Sequence, residues 1–281
     1  MAMRYSFPWP EIQTSERLAE GRSEAPGPGQ QLTLPPLTGL VSLVIPTHNE
    51  ADNIGGVVAA ASATLSAIAE NFEIILVDDG SGDGTAGVAR KALGPRADLL
   101  RVLRHERKSG YGVSVADGLR LAEGEYVAFM DGDGQFDASD LRLLVARIGQ
   151  ADLVGGVRVH RADPMFRSVI SGVFNVLVRL LYRIDYRDID CGMKLMRRSL
   201  LDAASPLQAR SALLNTELFF KAQQLGARVE QVPVPHYPRT AGIRSGARLL
   251  PILRAIRELL LLRFRIARTW TPRFRRSPDP S

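Results

Sequence analysis

From Val41 onward the chain alternates short apolar runs with stretches of helical periodicity, and that alternation constrains its fold more than any other feature. Val41 to Ile45, Phe72 to Val77, Leu99 to Leu103, Tyr126 to Met130 and Asp152 to Gly155 read as strands. Asp52 to Ala69, Thr85 to Leu93, Gly112 to Ala122 and Ser139 to Ile148 read as the helices between them. The strand runs are nearly continuous in apolar residues, so both faces of each strand are expected to be covered. Covered strands that alternate with helices make a mostly parallel sheet with right-handed crossovers, and such a sheet binds ligands beyond the carboxyl ends of its strands.

Three polar clusters stand at that edge: Pro46 to Glu50, Asp78 to Thr85 and Asp131 to Gln135, each directly after an expected strand. The third is the most informative. Tyr-Val-Ala-Phe-Met runs straight into Asp131-Gly-Asp-Gly-Gln135, two carboxylates one residue apart followed by an amide. Gly132 and Gly134 permit the tight backbone that brings Asp131 and Asp133 toward one point. Ligation by carboxylate and amide oxygens alone fits Mg²⁺ or Mn²⁺ rather than zinc, and such ions keep positions open for substrate phosphates.

The order and spacing of Val41-Ser-Leu-Val-Ile-Pro-Thr-His-Asn-Glu50, Leu76-Val-Asp-Asp-Gly-Ser-Gly-Asp-Gly-Thr85 and Asp131-Gly-Asp-Gly-Gln135 closely resemble family 2 glycosyltransferases of the GT-A fold. Within them the chain is most similar to the dolichol-phosphate mannose synthase branch, over roughly residues 41 to 246. The fold class implied is α/β, with a mostly parallel Rossmann-like sheet and C-terminal amphipathic helices. The resemblance implicates Pro46, Thr47, His48, Glu50, Val77 and Asp79 in holding the base and ribose of a nucleotide sugar, with His48 placed to stack. It sets Asp131 and Gly132 against the sugar nucleotide and makes Asp133 and Gln135 the metal ligands. Lys108-Ser-Gly-Tyr-Gly112 matches the family's glycine-containing loop before the third helix. Arg158 and Arg167 fall where this branch has phosphate-contacting arginines, and Arg239-Thr-Ala-Gly-Ile-Arg-Ser resembles its active-site segment. Two departures touch the acceptor side: Gly246 stands where a lysine is common, and Val-His-Arg-Ala-Asp replaces a glycine-rich loop after Arg158.

The activity implied is an inverting, metal-dependent transfer of a sugar to a polyprenyl phosphate, with GDP-mannose as the first expected donor. A hydroxyl acceptor needs a general base, whereas a lipid monophosphate, with a second pKa of about 6, arrives ionised. Arg158, Arg167 and Arg239 suit the task of holding two phosphates against their mutual repulsion. Asp131, Asp133 and Arg239 are the expected catalytic set. Glu217 is the best base candidate if one is needed, and a solvated helix face is its plainer role. Asp188 and Asp190 either shape the acceptor side or cap a turn, and Cys191 is expected to be a small buried residue. Two rivals stay open: the same donor chemistry with a hydroxyl acceptor, and a non-catalytic nucleotide-sugar-binding subunit that recruits a membrane partner.

Residues 1–39 contain six of the 17 prolines and no apolar period, which predicts a flexible arm before a catalytic domain at 40–246 and a basic helix and tail at 247–281. No stretch reaches the ~20 apolar residues of a spanning helix, and the first thirty residues lack an apolar leader core. Of a net charge of +6, the segment from His236 onward accounts for +9, with eleven Arg against Glu258 and Asp279. Those arginines alternate with Leu and Ile rather than with stacking aromatics, so an anionic membrane surface is the expected contact and nucleic acid is not. Later helices are expected at Met165 to Ile184, Leu213 to Leu225 and Ala247 to Ala267, with a strand at Arg228 to Val232. In the last helix Leu249, Ile252, Leu253, Ile256, Leu260 and Phe264 share a face opposite Arg254, Glu258 and Arg265, while Arg263 intrudes as a snorkelling cation. That helix docks on lipid or on a partner subunit, either another protein or a second copy. The expected location is peripheral, on the cytoplasmic face of a membrane.

Overall fold

A computed structural model describes residues 35–159, 178–239 and 249–272, with side chains of the last segment described from Arg257. Arg167, the greater part of the expected N-terminal arm, the start of the Met165 to Ile184 helix, residues 240–248 and the tail after residue 272 lie outside the described residues. Strand β1 (Leu37–Thr47) leads to α1 (Ala51–Ile68), β2 (Ala69–Asp78), α2 (Thr85–Leu93), β3 (Leu100–Arg104), α3 (Tyr111–Leu121), β4 (Tyr126–Met130) and α4 (Leu141–Ile148). There follow β5 (Leu153–Val159), β6 (Met193–Arg197), α5 (Arg198–Ala204), α6 (Leu213–Gln224), β7 (Val229–Pro235) and α7 (Leu249–Thr269).

The seven strands form one sheet in the order β3-β2-β1-β4-β6-β5-β7. All neighbours are parallel except β6, which runs antiparallel between β4 and β5. Both β6 and α5 escaped the sequence reading. Met-Lys-Leu-Met-Arg carries a lysine in mid-strand, which breaks the apolar run on which strand recognition depends. Strand β1 also begins at Leu37, inside the segment expected to be an arm.

Side-chain alternation sends Leu43, Ile45, Ile74 and Leu76 to one face and Val44, Ile75 and Val77 to the other. The first face is covered by α1, α2 and α4, the second by α3, α5, α6 and α7. Each fully buried Leu, Ile or Val contributes about 1.5–3 kcal/mol, so strands sealed on both sides hold the loops at their ends in fixed register. Helix α1 is long and apolar enough to cross a membrane, yet half of it is buried, and Ile54, Val58 and Leu65 belong to the core.

Helix α7 corrects the sequence reading of its faces. Leu259, Leu262, Ile266 and Trp270 pack on the body, whereas Leu260, Leu261 and Phe264 point outward, Phe264 being 76% exposed. Arg263 is exposed and lies over the Phe220 ring at 4.9 Å. Glu258 accepts from the Arg210 and Ser211 amides at 3.0 and 3.3 Å, so it is a docking residue.

Candidate functional site

The parallel register Pro46↔Val77 and Thr47↔Asp78 brings the ends of β1 and β2 side by side, with Thr47 Oγ1 donating to Val77 O at 3.2 Å. Val77 is fully buried and its side chain belongs to the core, so only its backbone lies at this edge. Past the strand, Asn49 adopts a left-handed φ of 55°, which asparagine tolerates better than most residues, and its Oδ1 accepts from Gly82 N at 2.9 Å. Glu50 N donates to Thr85 Oγ1 and Ala51 N to Asp83 Oδ2, both at 3.0 Å. Orphan amides at the start of α1 are thus satisfied by the second loop, and the two loops become one piece. His48 Nδ1 donates to Asp79 O at 2.8 Å.

Neighbouring carboxylates divide their work. Asp78 accepts from Ser81 N at 2.8 Å and is buried, a turn-holding role. Asp79 accepts from Ser109 N and His105 Nδ1 on Oδ1, at 2.7 and 2.8 Å, and from Gly110 N on Oδ2 at 2.9 Å. Burial raises its pKa, but these three donors outweigh burial and hold the carboxyl below the ordinary aspartate range. It is therefore a fixed negative charge that gathers the loop between β3 and α3.

At the end of β4, Asp131 N donates to Gly192 O at 3.1 Å, and Oδ1 of the same residue accepts from the Tyr111 hydroxyl at 2.9 Å. A Cβ on Gly192 would stand 1.9 Å from Asp131 Oδ2, so the carboxylate fills the space a side chain would take. Burial, then the charge of Asp133, pushes the Asp131 carboxyl up to about 7. Asp133 Oδ1 accepts from Gln135 N at 3.1 Å. Gln135 pairs with Tyr237 through its backbone carbonyl at 2.9 Å and through its side-chain nitrogen at 3.1 Å, which leaves the amide oxygen as the end able to ligate a cation.

A divalent cation fits this donor set. Two carboxylates repelling one another in a half-buried place are relieved by a hard positive charge, and every donor is oxygen. Among the described residues no group of three or more His, Cys, Asp or Glu forms a complete cage, so Asp133 and Gln135 could hold an ion only together with ligand oxygens.

The three loops meet through a closed circuit of contacts. Glu50 pairs with Arg239 and accepts from Asn53 Nδ2 at 2.8 Å. Tyr237, two residues before Arg239, holds Gln135, which holds Asp133. Asp131 is joined through Tyr111 to the Gly110 amide that binds Asp79, and Asp79 is joined to His48. Gly132 packs where a Cβ would meet Thr47 Cγ2 at 2.5 Å, which closes β4 against β1.

The remaining expectations divide. Arg158 grips Asp188 with two parallel bonds at 2.8 Å and with its backbone amide at 3.0 Å, so Asp188 orients that guanidinium. Cys191 is buried, and burial pushes its thiol up to about 11. Glu217 does not lie on a solvated helix face. It is completely buried, pairs with Lys221 at 2.8 Å, and accepts from the Gln208 and Ala209 amides at 2.7 and 2.8 Å. Lys221 in turn donates to Pro206 O at 2.6 Å and lies over the Trp270 ring.

Sequence reasoning missed Tyr111, His105 and Lys194. Tyr111 lies in a loop already singled out, but nothing there showed its hydroxyl reaching Asp131. Lys194 is fully buried against Phe129 and Phe219, at 5.0 and 5.5 Å from the ring centres, and donates to Cys191 O. Burial holds its pKa below the usual lysine range, and it steadies the turn whose Gly192 abuts Asp131.

A family model described as Glycosyl transferase family 2 matches residues 42–204. The chain is 30% identical, over 80% of its length, to a dodecaprenyl-phosphate galacturonate synthase from Rhizobium johnstonii. It is 29% identical, over 72% of its length, to an undecaprenyl-phosphate 4-deoxy-4-formamido-L-arabinose transferase from Aeromonas hydrophila. It spans 66% and 61% of the length of those two relatives. Among solved structures, glucosyl-3-phosphoglycerate synthase from Mycobacterium tuberculosis, in complex with Mn²⁺, UDP and its product, superposes with a TM-score of 0.61. That likeness covers 80% of each chain at 20% identity and confirms the GT-A type of α/β architecture.

Proposed function

The chain belongs to glycosyl transferase family 2, and on that premise we propose that it transfers a sugar from a nucleoside diphosphate to a polyprenyl phosphate at a membrane face. The observation that carries this reading is the circuit joining Glu50, Asp79, Asp131 and Asp133 at one edge of the sheet. Pro46, Thr47 and His48 with Asp79 line the nucleoside end. Asp133 and Gln135 would hold Mg²⁺ or Mn²⁺, which would supply positive charge against the departing diphosphate. Asp131, kept in place by Tyr111 and Gly192, faces the sugar side. Arg239, and Arg158 as set by Asp188, supply positive charge near the acceptor phosphate.

Sequestration of Glu217 supports a phosphate acceptor over a hydroxyl one, because the expected base is committed to two amides and a lysine. An ionised phosphate oxygen attacks the anomeric carbon directly, opposite the departing diphosphate, and inverts that centre without giving up a proton. The names of the relatives mention polyprenyl-phosphate products bearing galacturonate and a formamido-arabinose, and the solved neighbour holds UDP. UDP sugars therefore join GDP-mannose at the head of the donor set. The outward Leu260, Leu261 and Phe264 of α7, among arginines, supply a face for lipid.

The test is a donor-by-acceptor screen with Mg²⁺ and Mn²⁺, with the product identified by mass. An organic-extractable, acid-labile polyprenyl-phosphate sugar is expected. Transfer to water or to soluble hydroxyls alone would remove the lipid acceptor from the proposal.

A further inference from the structure

His105 leaves β3 beside Asp79, and its imidazole is only 12% exposed. Its Nδ1 donates to Asp79 Oδ1 at 2.8 Å, while Nε2 faces Asp117 Oδ2 on α3 at 3.2 Å. The other oxygen of Asp117 meets Arg120 Nη2 at 3.1 Å, and the His105 amide donates to Asp78 O at 2.9 Å. One ring thus ties together the exit of β2, the exit of β3 and the body of α3. A ring with one proton satisfies one of those carboxylates, whereas the imidazolium donates to both.

The same stretch of chain reaches the metal end. Ser109 and Gly110 place their amides on Asp79, and the next residue, Tyr111, places its hydroxyl on Asp131. The rotation of the Asp79 carboxylate and the position of the 105–111 loop are therefore one variable. Without the ring, Asp79 keeps two amide donors on a loop that is itself anchored less firmly.

We propose that His105 is a positioning residue for donor nucleotide binding: clamped between Asp79 and Asp117, it fixes the carboxylate and the loop that form the nucleoside end of the cleft. This rests on the reading that a nucleoside diphosphate occupies the Asp79 edge. His105 acts through Asp79 and the loop, on affinity rather than on the chemical step.

The experiment measures binding of GDP and of UDP, each with Mn²⁺, by calorimetry to the full chain and to His105→Leu, His105→Gln and Asp117→Asn. His105→Leu removes the ring's contacts with Asp79 and Asp117 and is expected to weaken the preferred nucleotide roughly tenfold, in line with loss of a hydrogen bond to a charged group. His105→Gln, which keeps one donor, is expected to recover most of that loss. Asp117→Asn leaves Asp79 and its ring partner in place, and a smaller weakening is expected, which keeps the test informative if His105→Leu does not fold. In turnover the loss is expected in KM for the donor, with kcat at saturation nearly unchanged. Nucleotide affinities equal to wild type in His105→Leu, or in Asp117→Asn where His105→Leu does not fold, overturn the role of His105 and leave the site reading standing. Failure of the wild-type chain to bind either nucleotide overturns the site reading, and this inference with it.

Discussion

Glu50 and Arg239, 189 residues apart in the chain, form an ion pair inside the cleft. It fastens the first strand-end loop to the segment that follows β7, and both side chains are largely withdrawn from water. Arg239→Ala is expected to leave Glu50 with Asn53 as its side-chain partner, at a cost of about 1–3 kcal/mol. Turnover is expected to fall much further than stability. Arg239→Lys is expected to restore the charge but only part of the rate, since an ammonium lacks the planar fork. Thermal melting beside steady-state kinetics separates the two effects.

Glu217 offers a direct separation of structure from catalysis. Glu217→Gln breaks a fully buried ion pair and leaves Lys221 charged without its partner, so a loss of about 3–5 kcal/mol is expected in denaturant titration. Replacing both residues with apolar ones of similar size is expected to recover much of that stability. A stable Glu217→Gln chain with normal folding and abolished turnover would restore the base assignment.

Gly192 tests the seat of Asp131. Gly192→Ala places a methyl group 1.9 Å from Asp131 Oδ2, and the carboxylate is the more movable partner. A displacement of about 1 Å at the reacting centre costs on the order of a hundredfold in rate, so kcat/KM is expected to fall by that order. Nucleotide affinity at the Asp79 end is expected to change far less, and calorimetry alongside kinetics checks the contrast.

How much of this was legible in the sequence follows from the range of each interaction. The strands, the crossover helices and the three clusters at strand ends are local patterns, so Asp79, Asp131 and Asp133 could be named before any coordinates. Strand β6 could not, because Lys194 is stabilised by the Phe129 and Phe219 rings, which come from elsewhere in the fold. Tyr111 and His105 take their roles from partners 20 and 26 residues away. Glu217 misled for a related reason: on a helix drawn alone it is polar and available, and only the packed fold brings the 208–209 amides onto it. Helix α7 has apolar residues on two sides, so periodicity could not say which side meets the body.

Acid should destabilise the fold through Glu73 as well as Asp79. Burial raises the Glu73 pKa, but Ser42, the Glu123 amide and Arg101 outweigh it and hold the carboxyl below the ordinary glutamate range. A group depressed in the folded state contributes stability above its unfolded pKa and loses it as pH falls through the folded value. Unfolding free energy is therefore expected to decline below about pH 4.5, the ordinary range of a glutamate. In Glu73→Gln the curve is expected to start lower near neutrality and to decline less steeply in that range, as read by denaturant titrations from pH 7 to pH 3.

The outward face of α7 gives the sharpest check on the membrane proposal, because it can be altered without touching the body. Phe264 is 76% exposed and Leu260 45% exposed, whereas the contacts that dock the helix come from Leu259, Leu262, Ile266 and Trp270. Insertion of one such side chain into lipid is worth about 1.5–3 kcal/mol, so Phe264→Glu is expected to lower partitioning onto anionic vesicles by roughly tenfold or more. Melting temperature and nucleotide binding are expected to stay at wild-type values. Turnover of a long-chain polyprenyl phosphate in vesicles is expected to drop while that of a short, water-soluble prenyl phosphate does not. Equal vesicle binding by wild type and Phe264→Glu would place the lipid contact elsewhere on the chain.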